Sequence, residues 1–253
     1  MDSRPVIVML HALGGSARAF GGVAAELGDG FEPLALDLPG FGDAANETGY
    51  SVAEMVDHVL ATVTARAPAQ WLIVGHSMGG KIATLVASHR PPGLAGVVLL
   101  AASPPAPEPI DEERRATMLG WVAGGPIAAH DARAFVAANV GAPLPPGLNG
   151  LAVADVERAA PAAWRAWLET GAREDWSARA GIIDLPALIV AGGADGDLGE
   201  AAQRRMNAPH YPDHRVEVLD GVGHLLPLER PADTAALIAA FCNRLLHRRP
   251  KPA

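Results

Sequence analysis

Ser77 lies in Gly75-His76-Ser77-Met78-Gly79, between an apolar run, Trp71-Leu72-Ile73-Val74, and a helical pattern that follows at once. This setting suits a nucleophile. A strand that turns sharply into a helix holds its middle residue in strained backbone geometry with the hydroxyl exposed. It leaves room only for glycine two residues to either side. The helix N-terminus also aims N–H groups at any charge developing beside Ser77. In a chain with 28 glycines the five-residue pattern alone also reads as a Gly-rich turn, so other residues must decide.

A serine hydroxyl attacks well only when a base takes its proton and an acid orients the base. Both partners follow in the order expected for a strand–turn–helix nucleophile. Asp195 comes after the apolar run Leu188-Ile189-Val190-Ala191, and His224 comes after Val218-Leu219 and a Gly-rich turn. Each falls past the carboxyl end of a strand, on the edge of the sheet where Ser77 lies. Asp195 is favoured as the acid because it follows the strand end more directly; Asp197 is the alternative, or a cap for the next helix. The bland reading of His224 is a loop histidine without a task.

Two backbone N–H groups should stabilise the oxyanion. Met78, directly after the nucleophile, supplies one. Leu13, in the loop His11-Ala12-Leu13-Gly14-Gly15 after the first strand, is the expected second, unless that loop is only a glycine turn. His11 and His76 are candidates for substrate contact, although His11 reads more naturally as a brace for its own loop.

These residues need a scaffold. Short β-branched runs at Val6–Leu10, Glu32–Leu36, Trp71–Gly75, Gly96–Ala101, Ala187–Ala191 and Arg215–Leu219 read as strands. Helical patterns cover Ala17–Leu27, Ser51–Ala65, Met78–His89, Leu198–Asn207 and Ala232–His247, with Ser51 and Glu54 spaced as a capping box. Apolar strands alternating with helices imply a parallel sheet covered on both faces. From about Ser103 to Gly181 no strand pattern occurs. Helical pieces lie near Asp111–Val122, Asp131–Val140 and Pro161–Gly171, so an inserted helical cap is expected over 103–181, with 1–102 and 182–253 forming the core. Four of the five tryptophans fall there, Trp121, Trp164, Trp167 and Trp176. They either glue cap to core or line a substrate pocket; Trp121, Trp164 and Trp167 are the candidates for the second role.

Composition narrows the function classes. The 253 residues are 49% hydrophobic and 19% charged, enough apolar material for one α/β domain. The net charge of -8 disfavours nucleic acid as a partner, and the basic cluster His247-Arg248-Arg249-Pro250-Lys251 reads as a solvated tail. The single cysteine, Cys242, excludes an internal disulfide and sits among apolar residues. His210 and His214 have metal-like spacing, but Pro212 breaks the helix that would align them, so no metal is expected. No apolar run reaches the length of a membrane span, and Met1–Pro5 lead straight into the first strand; a soluble, cytoplasmic protein is expected.

Taken together, the chain resembles the α/β-hydrolase superfamily, in its cap-bearing esterase-like branch. The matching pieces are His11-Ala-Leu-Gly-Gly15, Asp37-Leu-Pro-Gly-Phe-Gly42, Gly75-His-Ser-Met-Gly-Gly80, Gly192-x-x-Asp195 and Gly223-His224. The chain departs from that pattern where His11-Ala12 replaces the usual His-Gly, and its first strand matches the family's third. A mostly parallel six-stranded sheet lacking the N-terminal hairpin is therefore expected. The resemblance makes Gly40–Ala45, which mimics a dinucleotide fingerprint, a loop at the site rim, so no cofactor is expected. Serine at the elbow disfavours dehalogenase and epoxide-hydrolase chemistry. It implies ester hydrolysis through an acyl-enzyme, and the apolar side chains of Leu13 and Met78, with the Trp-bearing cap, suggest small or medium uncharged acyl substrates. Same-triad alternatives are C–C bond hydrolysis of aromatic-degradation products, lactonase, amidase, perhydrolase or lyase activity; a receptor-like use of the fold is more remote.

Overall fold

The computed structural model describes residues 4–246, so the C-terminal basic cluster lies outside the described residues. Among these residues six strands form one parallel sheet: β1 (Val6–Leu10), β2 (Glu32–Leu36), β3 (Trp71–His76), β4 (Leu94–Leu100), β5 (Ala187–Gly192) and β6 (His214–Leu219). Their order is β2-β1-β3-β4-β5-β6, every neighbour pair parallel. The chain moves from β1 to one side and returns from β2 to the other. The carboxyl ends of β1 and β3 thus flank the point where the order reverses, the place where open α/β sheets hold ligands.

Alternation along the central strands splits the core into two layers. Val8, Leu10 and Ile73 face one cluster, with residues of α2 (Val52–Arg66) and α3 (Met78–Ser88); Ile7, Met9, Leu72 and Val74 face the other, with α1 (Gly21–Leu27) and α11 (Pro231–Leu246). Strands buried on both faces must be apolar throughout, which is why they stand out in the sequence. Helix α2 starts where expected: the Ser51 hydroxyl accepts from the Glu54 N–H, and the Glu54 carboxylate accepts from the Ser51 N–H. Cys242 is buried in α11.

Between β4 and β5 the chain is helical: α4 (Glu112–Gly120), α5 (Ala129–Ala138), α6 (Pro146–Arg158), α7 (Pro161–Ala166, continued by a wider turn over Trp167–Gly171) and α8 (Ser177–Ala180). Helix α6 was not expected from the sequence. It opens on Pro145-Pro146-Gly147, which reads as a break, yet proline fits the first turn of a helix, where its missing N–H costs no bond. The buried Asp155 of α6 accepts from Ser16 Oγ at 2.6 Å and pairs with Arg18, tying this helix to the loop after β1. The Gly40–Ala45 loop forms a short helical turn at Gly42–Ala44, and the Gly40 carbonyl accepts from Ala160 N–H at 2.8 Å, just before α7. Two short helices complete the order, α9 (Glu200–Ala202) and α10 (Leu226–Glu229).

Candidate active site

Ser77 is the sharp corner between β3 and α3. Its φ of 50° and ψ of -118° put a residue with a side chain in the left-handed half of backbone space, a strain of about 1–3 kcal/mol that the surroundings must hold. They do so by hydrogen bonds: Ser77 N–H donates to Leu100 O at 3.0 Å, and the Ser77 carbonyl accepts from Gly80 N–H (2.7 Å) and Ser103 N–H (2.9 Å). Glycine is required at 79, where a Cβ would stand 2.5 Å from Leu10 O, and at 75, where it would strike the backbone of Gly79 and Gly80. The first turn of α3 is partly bound, with Gly79 N–H donating to His11 O at 3.1 Å. Met78 opens this helix, so its N–H is one of those the intrahelical pattern leaves unpaired.

Asp195 and His224 meet at the carboxyl ends of β5 and β6. His224 Nδ1 lies 2.7 Å from Asp195 Oδ2, and Asp195 Oδ1 accepts from the N–H groups of Asp197 (3.2 Å) and Leu198 (3.1 Å). Burial alone would raise the Asp195 pKa, but the hydrogen bond and charge of His224 and those two N–H groups hold it below the usual carboxylate value. Burial likewise opposes the charged form of His224, yet the bond and charge of Asp195, with the charge of Glu108, leave its pKa above the ordinary value. Asp197 points elsewhere and pairs with Arg114.

The two other histidines are structural in their bonding. His11 is fully buried; its Nδ1 bonds Ala12 O at 2.8 Å and its Nε2 accepts from Leu38 N–H at 3.0 Å, a pattern only the neutral Nδ1–H form satisfies. His76 Nε2 bonds the His224 carbonyl at 2.7 Å, and burial with the nearby His224 charge lowers its pKa to about 3. It steadies the loop that carries His224.

That loop is also gripped from the helical segment. His224 N–H and Leu225 N–H both donate to the Asn139 carbonyl, at 2.8 and 3.2 Å. The Glu229 carboxylate accepts from the N–H groups of Gly141 (2.7 Å), Gly223 (3.0 Å) and Leu225 (3.1 Å). Gly141 and Gly223 cross so closely that a Cβ on either would overlap the other's backbone. The sequence reading missed Asn139 and Glu229; Pro227, placed to start a helix beside His224, was the available hint.

Ser77, His224, Asp195 and Leu13 line one cavity of about 220 Å³, together with Glu108, Arg114, Phe135, Asn139 and Trp167. Of the three candidate tryptophans only Trp167 lines it. Trp164 is fully buried and donates to Met118 O at 3.0 Å, and Trp121 stacks with Phe135 and Trp164 at ring separations of 6.2 Å, gluing α4, α5 and α7 together. A smaller apolar pocket of about 30 Å³ lies behind Leu13, Phe135 and Leu225 and reaches His76. His210 and His214 bond the carbonyls of Gly181 and Tyr211, at 2.7 and 2.6 Å.

The sequence pattern of the Alpha/beta hydrolase family matches residues 7–237. The chain belongs to this family. Among curated relatives, a pimeloyl-[acyl-carrier protein] methyl ester esterase of Edwardsiella ictaluri is 37% identical over 39% of this chain, and the chain spans only 36% of that relative. A protein of the same name from Aromatoleum aromaticum is 29% identical over 93% of this chain and 97% of its own length. Among solved structures, an esterase from Exiguobacterium antarcticum superposes with a TM-score of 0.84 at 18% identity, over 96% of this chain and 93% of that one, and carries the comparison of fold alone. Among the described residues no helix is long and apolar enough to cross a membrane.

Proposed function

We propose that the chain is a serine carboxylesterase acting through an acyl-enzyme. Ser77 attacks the ester carbonyl, His224 takes its proton through Nε2 and returns it to the leaving alcohol, and Asp195 holds the Nδ1–H form of His224. The 2.7 Å bond between His224 and Asp195 carries this reading, because it sits on the cavity that the strained Ser77 also lines. Water then repeats the sequence to release the acid. The Leu13 and Met78 N–H groups are the assigned oxyanion donors: Leu13 lies in the cavity wall with its N–H unclaimed among the described residues, and Met78 heads α3. His11 and His76 position the loops rather than touch substrate.

The segment 103–181 is assigned as a cap over the core. Its α5 with the C-cap residue Asn139, and its wide turn at Trp167–Gly171, contribute Phe135, Asn139 and Trp167 to the cavity wall, and the volume suits small or medium acyl groups. Relatives named as methyl ester esterases support ester chemistry. The test is a fluorophosphonate probe with a p-nitrophenyl ester series from acetate to decanoate. Native protein should be labelled and turn over the shorter esters, and Ser77→Ala should do neither. Undiminished labelling of Ser77→Ala would sink the nucleophile assignment.

A further inference from the structure

Glu108 lines the cavity that holds Ser77 and His224, yet the ester mechanism gives it no task. It lies in a proline-rich stretch eight residues past the carboxyl end of β4, whereas Asp195 stands three residues past β5. Its position is built. Glu108 N–H donates to Ala172 O at 2.7 Å, and its Oε2 is 2.6 Å from the hydroxyl of the fully buried Ser103, whose own N–H donates to the Ser77 carbonyl.

Apart from the Trp167 indole N–H, the other polar side chains on the wall are committed. Asp195 is filled by His224 and two backbone N–H groups. Asn139 donates to Phe135 O at 2.7 Å and accepts from Arg114. Arg114 and Asp197 pair with each other at the mouth, 39 and 47% exposed, where solvent can complete their bonding. Among the described residues no hydrogen bond is made by Ser77 Oγ, by His224 Nε2 or by Glu108 Oε1. The first two are the reacting groups. The third is a hydrogen-bonding group, in a partly enclosed cavity, that the protein leaves unpaired.

We propose that Glu108 is a specificity-determining residue whose Oε1 hydrogen-bonds a hydroxyl group carried by the substrate near its scissile ester, so that hydroxy-substituted esters are preferred over plain alkyl esters. A carboxyl accepts from a hydroxyl in either protonation state, and burial favours the neutral form, which also donates. A carboxylate on the substrate would instead meet Asp195 and Asp197 on the wall, where Arg114 already pairs with Asp197. The chemistry selects a neutral, hydroxylated compound. This inference rests on the esterase reading only for its kinetic test.

Methyl 3-hydroxybutyrate and 2-hydroxyethyl butyrate place the hydroxyl on the acyl and the alcohol side; methyl butyrate is the plain reference. For the native protein, kcat/KM should favour one hydroxy ester by about three- to tenfold, the worth of one neutral hydrogen bond. Glu108→Leu should abolish that ratio and Glu108→Gln, which keeps an acceptor oxygen, should retain part of it. Persistent phosphonate labelling of both variants verifies that the elbow is assembled. No preference in the native protein, or a ratio unmoved by Glu108→Leu, overturns the proposal. Affinities measured on Ser77→Ala, with and without Glu108→Leu, read the same ratio without turnover. If the native protein hydrolysed none of these esters, a difference in binding there would remove the esterase reading and leave this one standing.

Discussion

Replacing Gly79 by alanine tests whether the corner at Ser77 governs turnover. Intrinsic helix propensity predicts a gain of about 1 kcal/mol, since glycine is a poor residue inside a helix. The structure predicts a loss. An added Cβ would stand 2.5 Å from Leu10 O, 2.7 Å from Leu10 C and 2.8 Å from His11 O, whereas ordinary contact begins at 3.4 Å. The neighbours are backbone, so α3 and the end of β1 must separate by about 0.9 Å, the gap between 2.5 and 3.4 Å. That motion stretches the 3.1 Å bond from Gly79 N–H to His11 O and moves the loop bearing Leu13 away from Met78. Overpacking of this kind costs about 1–3 kcal/mol, enough to outweigh the propensity gain. A displacement approaching 1 Å between nucleophile and oxyanion donor costs on the order of a hundredfold in rate. Urea denaturation, kcat/KM for p-nitrophenyl butyrate and the rate of phosphonate labelling measure the two effects. Gly120→Ala in α4, where nothing lies within 4 Å of the added carbon, is the control: its activity should match the native protein and its stability should be equal or higher by up to about 1 kcal/mol. A Gly79→Ala protein within threefold of native kcat/KM would refute the claim that this contact sets the catalytic geometry.

Three further outcomes are expected. Because the His224 pKa lies above its usual value of 6.5, kcat/KM should rise with pH through a midpoint above 6.5; a midpoint at or below that value would contradict the geometry. Asp195→Asn should cut kcat on the order of 10³- to 10⁴-fold and lower the midpoint, since burial would then act on His224 without the opposing charge, while Asp197→Asn should stay within about threefold of native. Lys81 is buried in α3, donating to Gly171 O and Glu174 O, and burial lowers its pKa from 10.5 to about 8. The unfolded chain therefore binds more protons between those values, so Lys81 adds stability as pH rises from 8 to 10.5; denaturation midpoints of Lys81→Met should lack that increment.

The central strands β1, β3, β4 and β5 were legible because burial on both faces leaves them nearly free of polar residues, whereas the partly exposed edge strands β2 and β6 carry Glu32, His214, Arg215 and Glu217. The strand ends carried Ser77, Asp195 and His224 into view. The bonding of Asp195 rather than Asp197 to His224 depends on how the turn after β5 folds back, with Asp197 N–H donating to Asp195 itself, which no spacing reveals. The helical segment was read less completely. Helix α6 hid behind its prolines and Gly150, and a tryptophan's chemistry does not say whether it faces a cavity, as Trp167 does, or a neighbouring helix, as Trp164 does. Glu108, eight residues past the end of β4 in a proline-rich stretch, lies beyond the reach of the rule that found Asp195, and without a matching partner in the sequence it did not stand out.

The crossing of Gly141 with Gly223, locked by Asn139 and Glu229, bears on how this molecule can be re-engineered. Exchanging 103–181 for the corresponding segment of another hydrolase would seem to alter specificity alone, since both junctions lie outside the sheet. Residues 139–141 lie inside the exchanged piece, however, and they hold the backbone of His224. A chimera that omits them would inherit a new pocket and lose the hold on His224, whereas one that keeps this short stretch, with Glu229 unchanged, preserves the His224 loop while the rest of the graft varies.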